Sequence, residues 1–167
     1  MSSFYVTTAI PYVNAEPHLG FALELVQADV LARYHRLRGD DTWFLTGTDE
    51  NSLTNVLAAE REGLAVRPLV DKNAAVFRAL TGRLHVGNDD FIRTATDPRH
   101  LDGARRFWEA CARAGDVYRR PYRGLYCVRC ERFYTPEELV DGRCPEHDIA
   151  PEIVEEENYF FRLSERR

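Results

Sequence analysis

Three cysteines and a histidine constrain this chain more than any other feature. Two residues lie between Cys127 and Cys130, and two between Cys144 and His147, and thirteen residues separate the pairs. Each pair fits a turn short enough to aim two ligands at one point, and two such turns close a tetrahedron around Zn2+. Gly142 and Pro145 supply turn chemistry beside the second pair. Disulfides are the competing use of these thiols, and a reducing compartment disfavours them. Unrelated buried thiols would not pair at this spacing. Four protein ligands fill the coordination shell, so the expected zinc is structural and leaves no position for a substrate. Cys111 stands apart on an apolar helical stripe and reads as a small core residue.

The rest of the chain must supply a core. Its 167 residues suffice for one domain, or one domain with a small insert. At 44% hydrophobic and 29% charged, the composition is that of an ordinary soluble globular protein. No apolar run approaches the ~20 residues that cross a bilayer, which excludes an integral membrane protein. The opening MSSFYVTT lacks the basic stretch and apolar core of a secretory signal, so a cytoplasmic location is expected. A net charge of -5 argues against gripping nucleic acid through a broad basic face. Charge is uneven, however: Arg119, Arg120, Arg123, Arg129 and Arg132 form a local basic concentration, and EIVEEE at 152–157 an acidic one.

Periodicity orders the first two thirds. FYVTTAI (Phe4–Ile10) reads as a buried strand, rich in β-branched and aromatic residues. Leu19, Leu23, Val26, Val30, Tyr34 and Leu37 then recur at helical spacing, which predicts a helix with that face on the core, closed by Gly39. TWFLTGT (Thr42–Thr48) is a second strand. Leu53, Val56 and Leu57 begin a helix that Gly63 ends, and Val70, Ala74, Phe77, Leu80 and Leu84 mark another. DFIRT (Asp90–Thr94) is a third strand. Asp97-Pro98 is a helix start, an N-cap followed by proline at the first helical position. That helix carries Leu101, Ala104, Trp108 and Cys111 on one face and stops at Gly115. The alternation predicts an α/β fold with a parallel sheet. In such sheets ligands bind where strands hand over to helices at their carboxyl ends, and the loops at 11–18 and 47–52 lie there. Past Gly115 the texture changes to tyrosines, arginines and cysteines in short segments, with a boundary expected near 116–122.

The stretches YVTTAIPYVNAEPHLGF and ADVLARYHRLRGDDTWFLTGTDE resemble the start of the catalytic domain of methionyl-tRNA synthetases, which are class I aminoacyl-tRNA synthetases. YCVRCERFYTPEELVDGRCPEH resembles the zinc knuckle of that family, and EEENYFFRLS the segment just after the knuckle. The resemblance implies the first half of a Rossmann-like nucleotide-binding domain over 1–118, a zinc-binding insert over 119–154, and a return toward the catalytic domain over 155–167. It also implies activation of methionine, or another amino acid, with ATP and Mg2+ to an aminoacyl-adenylate. His18-Leu19-Gly20-Phe21 takes the place of the family's HIGH motif, whose helix N-terminus faces the ATP phosphates. His18 is then the phosphate donor, Gly20 allows the nucleotide to approach, and Phe21 borders the same site. Asp49 takes the place of the carboxylate that holds the amino acid's ammonium. Ala9, Ile10 and Tyr12 correspond to the segment lining the side-chain pocket. Cys127, Cys130, Cys144 and His147 correspond to the knuckle ligands.

Three departures from the family pattern carry expectations of their own. Phe21 replaces the second histidine of HIGH and can donate no hydrogen bond, so restoring histidine is expected to raise adenylation. Asn51-Ser52 stands where His-Gly is usual. The family's KMSKS lysine and its anticodon-binding domain belong to sequence beyond Arg167, so the chain is expected to be a piece of a longer polypeptide whose other regions meet tRNA. A second reading keeps the fold and changes the acceptor, as in hydrazine-forming synthetases that activate an amino acid for an acceptor other than tRNA. A third is a non-catalytic zinc module that binds a protein or an RNA end.

Overall fold

A computed structural model describes residues 2–166. They form two compact units, one ending at Leu101 and the other beginning at Asp102.

The first unit is a three-stranded parallel sheet with helices as its crossovers. Strands β1 (Ser3–Thr7), β2 (Asp41–Thr48) and β3 (Asp90–Arg93) lie in that order, with Val6 beside Phe44 and Thr46 beside Phe91. Helix α1 (Leu19–Leu37) joins the first two strands; α2 (Leu53–Glu62) and α3 (Val66–Arg83) join the second and third. Ser52 starts α2 by accepting from the Thr54 N–H at 3.0 Å, and Gly63 ends it in the left-handed region that glycine tolerates. At Gly47 an added Cβ would fall 2.2 Å from the Ile92 carbonyl oxygen, so only glycine lets β2 and β3 approach there.

The face of α1 expected to meet the core is instead exposed: Leu19 is 85% and Leu37 89% accessible, and Leu23, Val26, Val30 and Tyr34 are also open. The buried stripe is Phe21, Leu25, Ala28 and Ala32. Both stripes have helical spacing. The buried one carries the alanines that let a helix lie close against a sheet, with Ala28 and Ala32 packed on Phe44. Phe21 and Leu25 join Val13, Val70, Ala74, Phe77 and Phe91 in the larger cluster. The first strand is also shorter than expected, ending at Thr7 and not Ile10. The Thr8 N–H still reaches the Leu45 carbonyl at 3.3 Å, but the Ala9 N–H donates to the Glu24 carboxylate at 2.5 Å and so leaves the ladder.

The second unit holds most of α4 (Pro98–Arg113) and a three-stranded antiparallel sheet. Its order is β5 (Arg132–Tyr134), β4 (Val117–Cys127), β6 (Glu152–Phe161), with β4 and β6 paired from Val117–Phe161 to Tyr126–Glu152. Short segments were expected here, and two long strands are present. Pro121 and the arginines break the apolar alternation of β4, and charge hides β6. Pro121 falls where β4 has only β6 beside it, a setting that tolerates a residue without an N–H. One face of this ribbon is aromatic: Tyr118 stacks on Phe160, and Tyr122 meets both Phe160 and Phe133. Along α4 no residue is buried. Trp108 lies edge-on to Tyr159 with ring centroids 5.1 Å apart, and Cys111 is half-buried beside it in an apolar cleft of about 260 Å³.

Candidate functional site

The carboxyl ends of β1 and β2 lead into loops that are stitched together. The Asp49 N–H donates to the Pro11 carbonyl at 2.9 Å, so Tyr12 and Asp49 pair as an isolated parallel bridge. The buried hydroxyls of Thr8 and Thr46 share a hydrogen bond of 2.7 Å beneath them. Farther along the first loop, Asn73 of α3 donates to the Val13 carbonyl at 2.7 Å and fixes its depth.

His18 closes this loop and opens α1. Its Nδ1 accepts from the Phe21 N–H at 3.4 Å, making His18 the N-cap of the helix. An imidazole that accepts at Nδ1 carries its proton on Nε2 when neutral, so the outer nitrogen is a donor. Gly20 makes this possible: a Cβ there would be 2.9 Å from the His18 ring. The glycine was expected to admit a nucleotide; in the structure it makes room for the histidine itself. Phe21 behaves differently from the sequence expectation. Its ring is 5% exposed and lies 5.2 Å, centroid to centroid, from Phe77, inside the core and away from the helix mouth. The N3 position of α1 faces the core, and an apolar ring is well placed there.

Asp49 is half-buried. Its Oδ1 accepts from the Asn51 N–H at 3.1 Å and lies 3.5 Å from the Thr94 hydroxyl. Thr94 in turn accepts from the Glu50 N–H at 2.9 Å. Glu50 is buried and paired with Arg93, whose Nη2 also reaches Asp71 Oδ1 at 2.5 Å. That guanidinium holds the Asp71 carboxyl below the usual carboxylate range. Sequence reading passed over Glu50, Arg93 and Thr94, which fix the backbone on which Asp49 is displayed. A charged residue and a threonine at the carboxyl end of the third strand were the available signal. Among the described residues, Glu50 Oε2 and Asn55 Oδ1 are buried acceptors with no partner. Ala9, Tyr12 and His18 are exposed on this edge. Ile10 lines a cleft of about 460 Å³ with Thr7, Thr8, Leu45, Ile92 and His100.

In the second unit, the four expected metal ligands converge. The donor atoms of Cys127, Cys130, Cys144 and His147 all lie within 4.8 Å of one another. Cys130 Sγ is 3.4 Å from Cys144 Sγ and 3.1 Å from His147 Nδ1, and Cys144 Sγ is 3.9 Å from that nitrogen. Zn–S bonds of about 2.3 Å arranged tetrahedrally put neighbouring sulfurs about 3.8 Å apart, so the set fits zinc with little movement. The backbone repeats the same device at both halves: Glu131 after Cys130 and Asp148 after His147 each adopt φ 51°. Burial and the neighbouring sulfurs push the Cys130 thiol up to about 12. Burial acts the same way on Cys144, but hydrogen-bonding contacts with Tyr134, the Glu146 backbone and His147 outweigh it and bring that thiol down to about 6. All four cysteines are free of disulfides. These residues would hold the ion as a closed structural site that ties β4 to the loop after β5.

A family model described as tRNA synthetases class I (M) matches residues 4–150. The chain belongs to the class I tRNA synthetases. Among curated relatives, the methionine–tRNA ligase of Brucella suis is 44% identical over 165 residues, covering 96% of this chain and 32% of that protein. The methionine–tRNA ligase of Thermotoga maritima is 45% identical over 168 residues, covering 98% of this chain and 27% of its own length. The structure of Mycobacterium tuberculosis methionyl-tRNA synthetase in complex with methionyl-adenylate superposes with a TM-score of 0.90 at 43% identity, covering 99% of this chain and 33% of that one. This chain therefore spans about a third of the length of the relatives it matches. Among the described residues, no helix is long and apolar enough to cross a membrane.

Proposed function

We propose that this chain is the ATP- and amino-acid-facing part of a methionine–tRNA ligase. Methionine's carboxylate attacks the α-phosphate of ATP, held with Mg2+; the bond to the pyrophosphate leaving group breaks, and methionyl-adenylate is formed for transfer to tRNA. The observation that carries this reading is the tie between Pro11 and Asp49, which brings a half-buried carboxylate and the loop leading to the His18-capped helix to one edge of the sheet. The helix N-terminus and the outward Nε2–H of His18 suit a phosphate chain. Asp49 suits an ammonium, and Ile10 and Tyr12 an apolar side chain beside it. The chemistry is positioning and electrostatics, with no protein nucleophile. On this reading residues 1–118 are the first half of the catalytic domain, 119–154 the zinc-binding insert and 155–167 its return, in a cytoplasmic enzyme.

One observation favours a second reading, with a different acceptor. Phe21 is committed to the core, and Asn51-Ser52, whose serine caps α2, stands where the family has His-Gly, so neither place supplies the imidazole that the family has there. A synthetase-like enzyme passing an activated amino acid to an acceptor other than tRNA tolerates that change more readily. The test is amino-acid-dependent ATP–pyrophosphate exchange across the standard amino acids, run on this chain and on the longest polypeptide encoded around it. Exchange with methionine supports the ligase. Exchange with another amino acid supports the second reading, and none in either overturns both.

A further inference from the structure

The spacing of the knuckle ligands gives no hint of Tyr134. Its ring is buried in a cluster with Cys127 and Cys144, and its hydroxyl oxygen lies 3.2 Å from Cys130 Sγ and 3.6 Å from Cys144 Sγ. A phenolic hydroxyl at that depth needs a partner, and these two sulfurs are what the surroundings present. A bound divalent cation makes both sulfurs thiolates, which accept hydrogen bonds and cannot donate them. The phenol proton then points at sulfur.

The surroundings of the two sulfurs differ. Cys144 is fully buried, with its sulfur 3.6 Å from the phenol oxygen. Cys130 is more open, is the sulfur nearer the phenol, and has the Glu146 carboxylate at 3.8 Å, which offers a thiolate nothing but repulsion. The Arg132 guanidinium lies 4.6 Å from the centroid of the Tyr134 ring and ion-pairs with Glu138. A cation over a phenol draws electron density from it and strengthens its O–H as a donor.

We infer that Tyr134 is a positioning residue of the metal site, donating through its hydroxyl to Cys130 Sγ and so orienting that thiolate and withdrawing charge from it. The four ligands determine that a metal binds. Tyr134 determines how tightly one sulfur is held and how nucleophilic it remains.

The test uses this chain with Tyr134→Phe, which removes one oxygen and keeps the ring. Loss of an outer partner typically weakens metal binding by about 10–100-fold, and competition with a chromophoric chelator should show a loss of that size for Zn2+. Packing alone could produce such a loss, so a second readout is needed. In the Co2+-loaded chain the sulfur-to-metal charge-transfer band should move to lower energy in Tyr134→Phe. It should move to higher energy when 3,5-difluorotyrosine, a stronger donor of the same shape, replaces Tyr134. Opposite shifts in the two variants establish the hydrogen bond. A band unmoved in both overturns the inference, whatever happens to affinity. If Tyr134→Phe takes up no metal, the difluorotyrosine shift alone decides.

Discussion

Replacing Phe21 with histidine separates a core position from a nucleotide-binding one. The sequence resemblance alone leads to an expected gain, because histidine would restore the second imidazole of the family motif. The structure predicts a loss of stability. Phe21 is 5% exposed among Val13, Leu25, Val70, Ala74, Phe77 and Phe91. Exchanging its ring for imidazole forfeits most of the apolar burial of one phenylalanine, about 1.5–3 kcal/mol. It also places a polar ring among apolar neighbours, which costs about 1–3 kcal/mol when a donor or acceptor is left unsatisfied. The combined loss of about 2.5–6 kcal/mol is a large part of the roughly 5–15 kcal/mol typical of a domain. Urea unfolding of the parent, Phe21→His and Phe21→Leu measures it. Phe21→Leu, which keeps an apolar side chain of similar volume, should cost less than about 1.5 kcal/mol. A histidine variant within about 0.5 kcal/mol of the parent would refute the placement of this ring in the core.

The same geometry predicts three further outcomes. Gly47→Ala should cost several kcal/mol and lower the melting temperature, because its Cβ would meet the Ile92 carbonyl oxygen at 2.2 Å; an unchanged melt would show that β2 and β3 are not this close. Arg93 holds Asp71, and Arg99 holds Asp90 and Asp97, below the ordinary carboxylate value of 3.8, so these pairs stabilise the fold fully above that value and lose their effect as pH falls through the lower folded values. The urea midpoint should accordingly be level near neutral pH and drop below about pH 4, and a midpoint that rises there would contradict the pairing. Stripping the metal with a chelator, or changing Cys127 to Ser, should release one zinc ion per chain and loosen the sheet of β4, β5 and β6, seen as lost amide protection after Asp102 and retained protection before it.

The parts of the molecule differ in how far sequence made them readable, for identifiable reasons. The knuckle was legible because metal coordination fixes ligand spacing along the chain. The order of strands and helices was legible because the apolar period changes at Gly39, Gly63 and Asp97. The inward face of α1 was not. That helix carries two apolar stripes, and the larger residues are on the one that the sheet does not cover. The β4–β6 ribbon escaped because its stability comes from cross-strand aromatic contacts among charged residues, which leaves no run of apolar alternation. At the candidate site, His18 and Asp49 were legible through family resemblance. Glu50, Arg93, Thr94 and Tyr134 were not, since each acts on a residue that is distant in sequence or has no conspicuous spacing.

The proposed chemistry rests on Asp49 as the group that meets the amino acid's ammonium at the carboxyl end of β2. The most direct measurement is methionine-dependent ATP–pyrophosphate exchange by the polypeptide that carries this chain, comparing the parent with Asp49→Asn. Asparagine keeps the size and the 3.1 Å contact from the Asn51 N–H, and removes the charge. The predicted result is a KM for methionine raised by one to two orders of magnitude, the about 1.5–3 kcal/mol typical of a charged hydrogen bond, with the KM for ATP little changed. Equal kinetics for the two proteins, or a defect confined to ATP, would contradict the assignment.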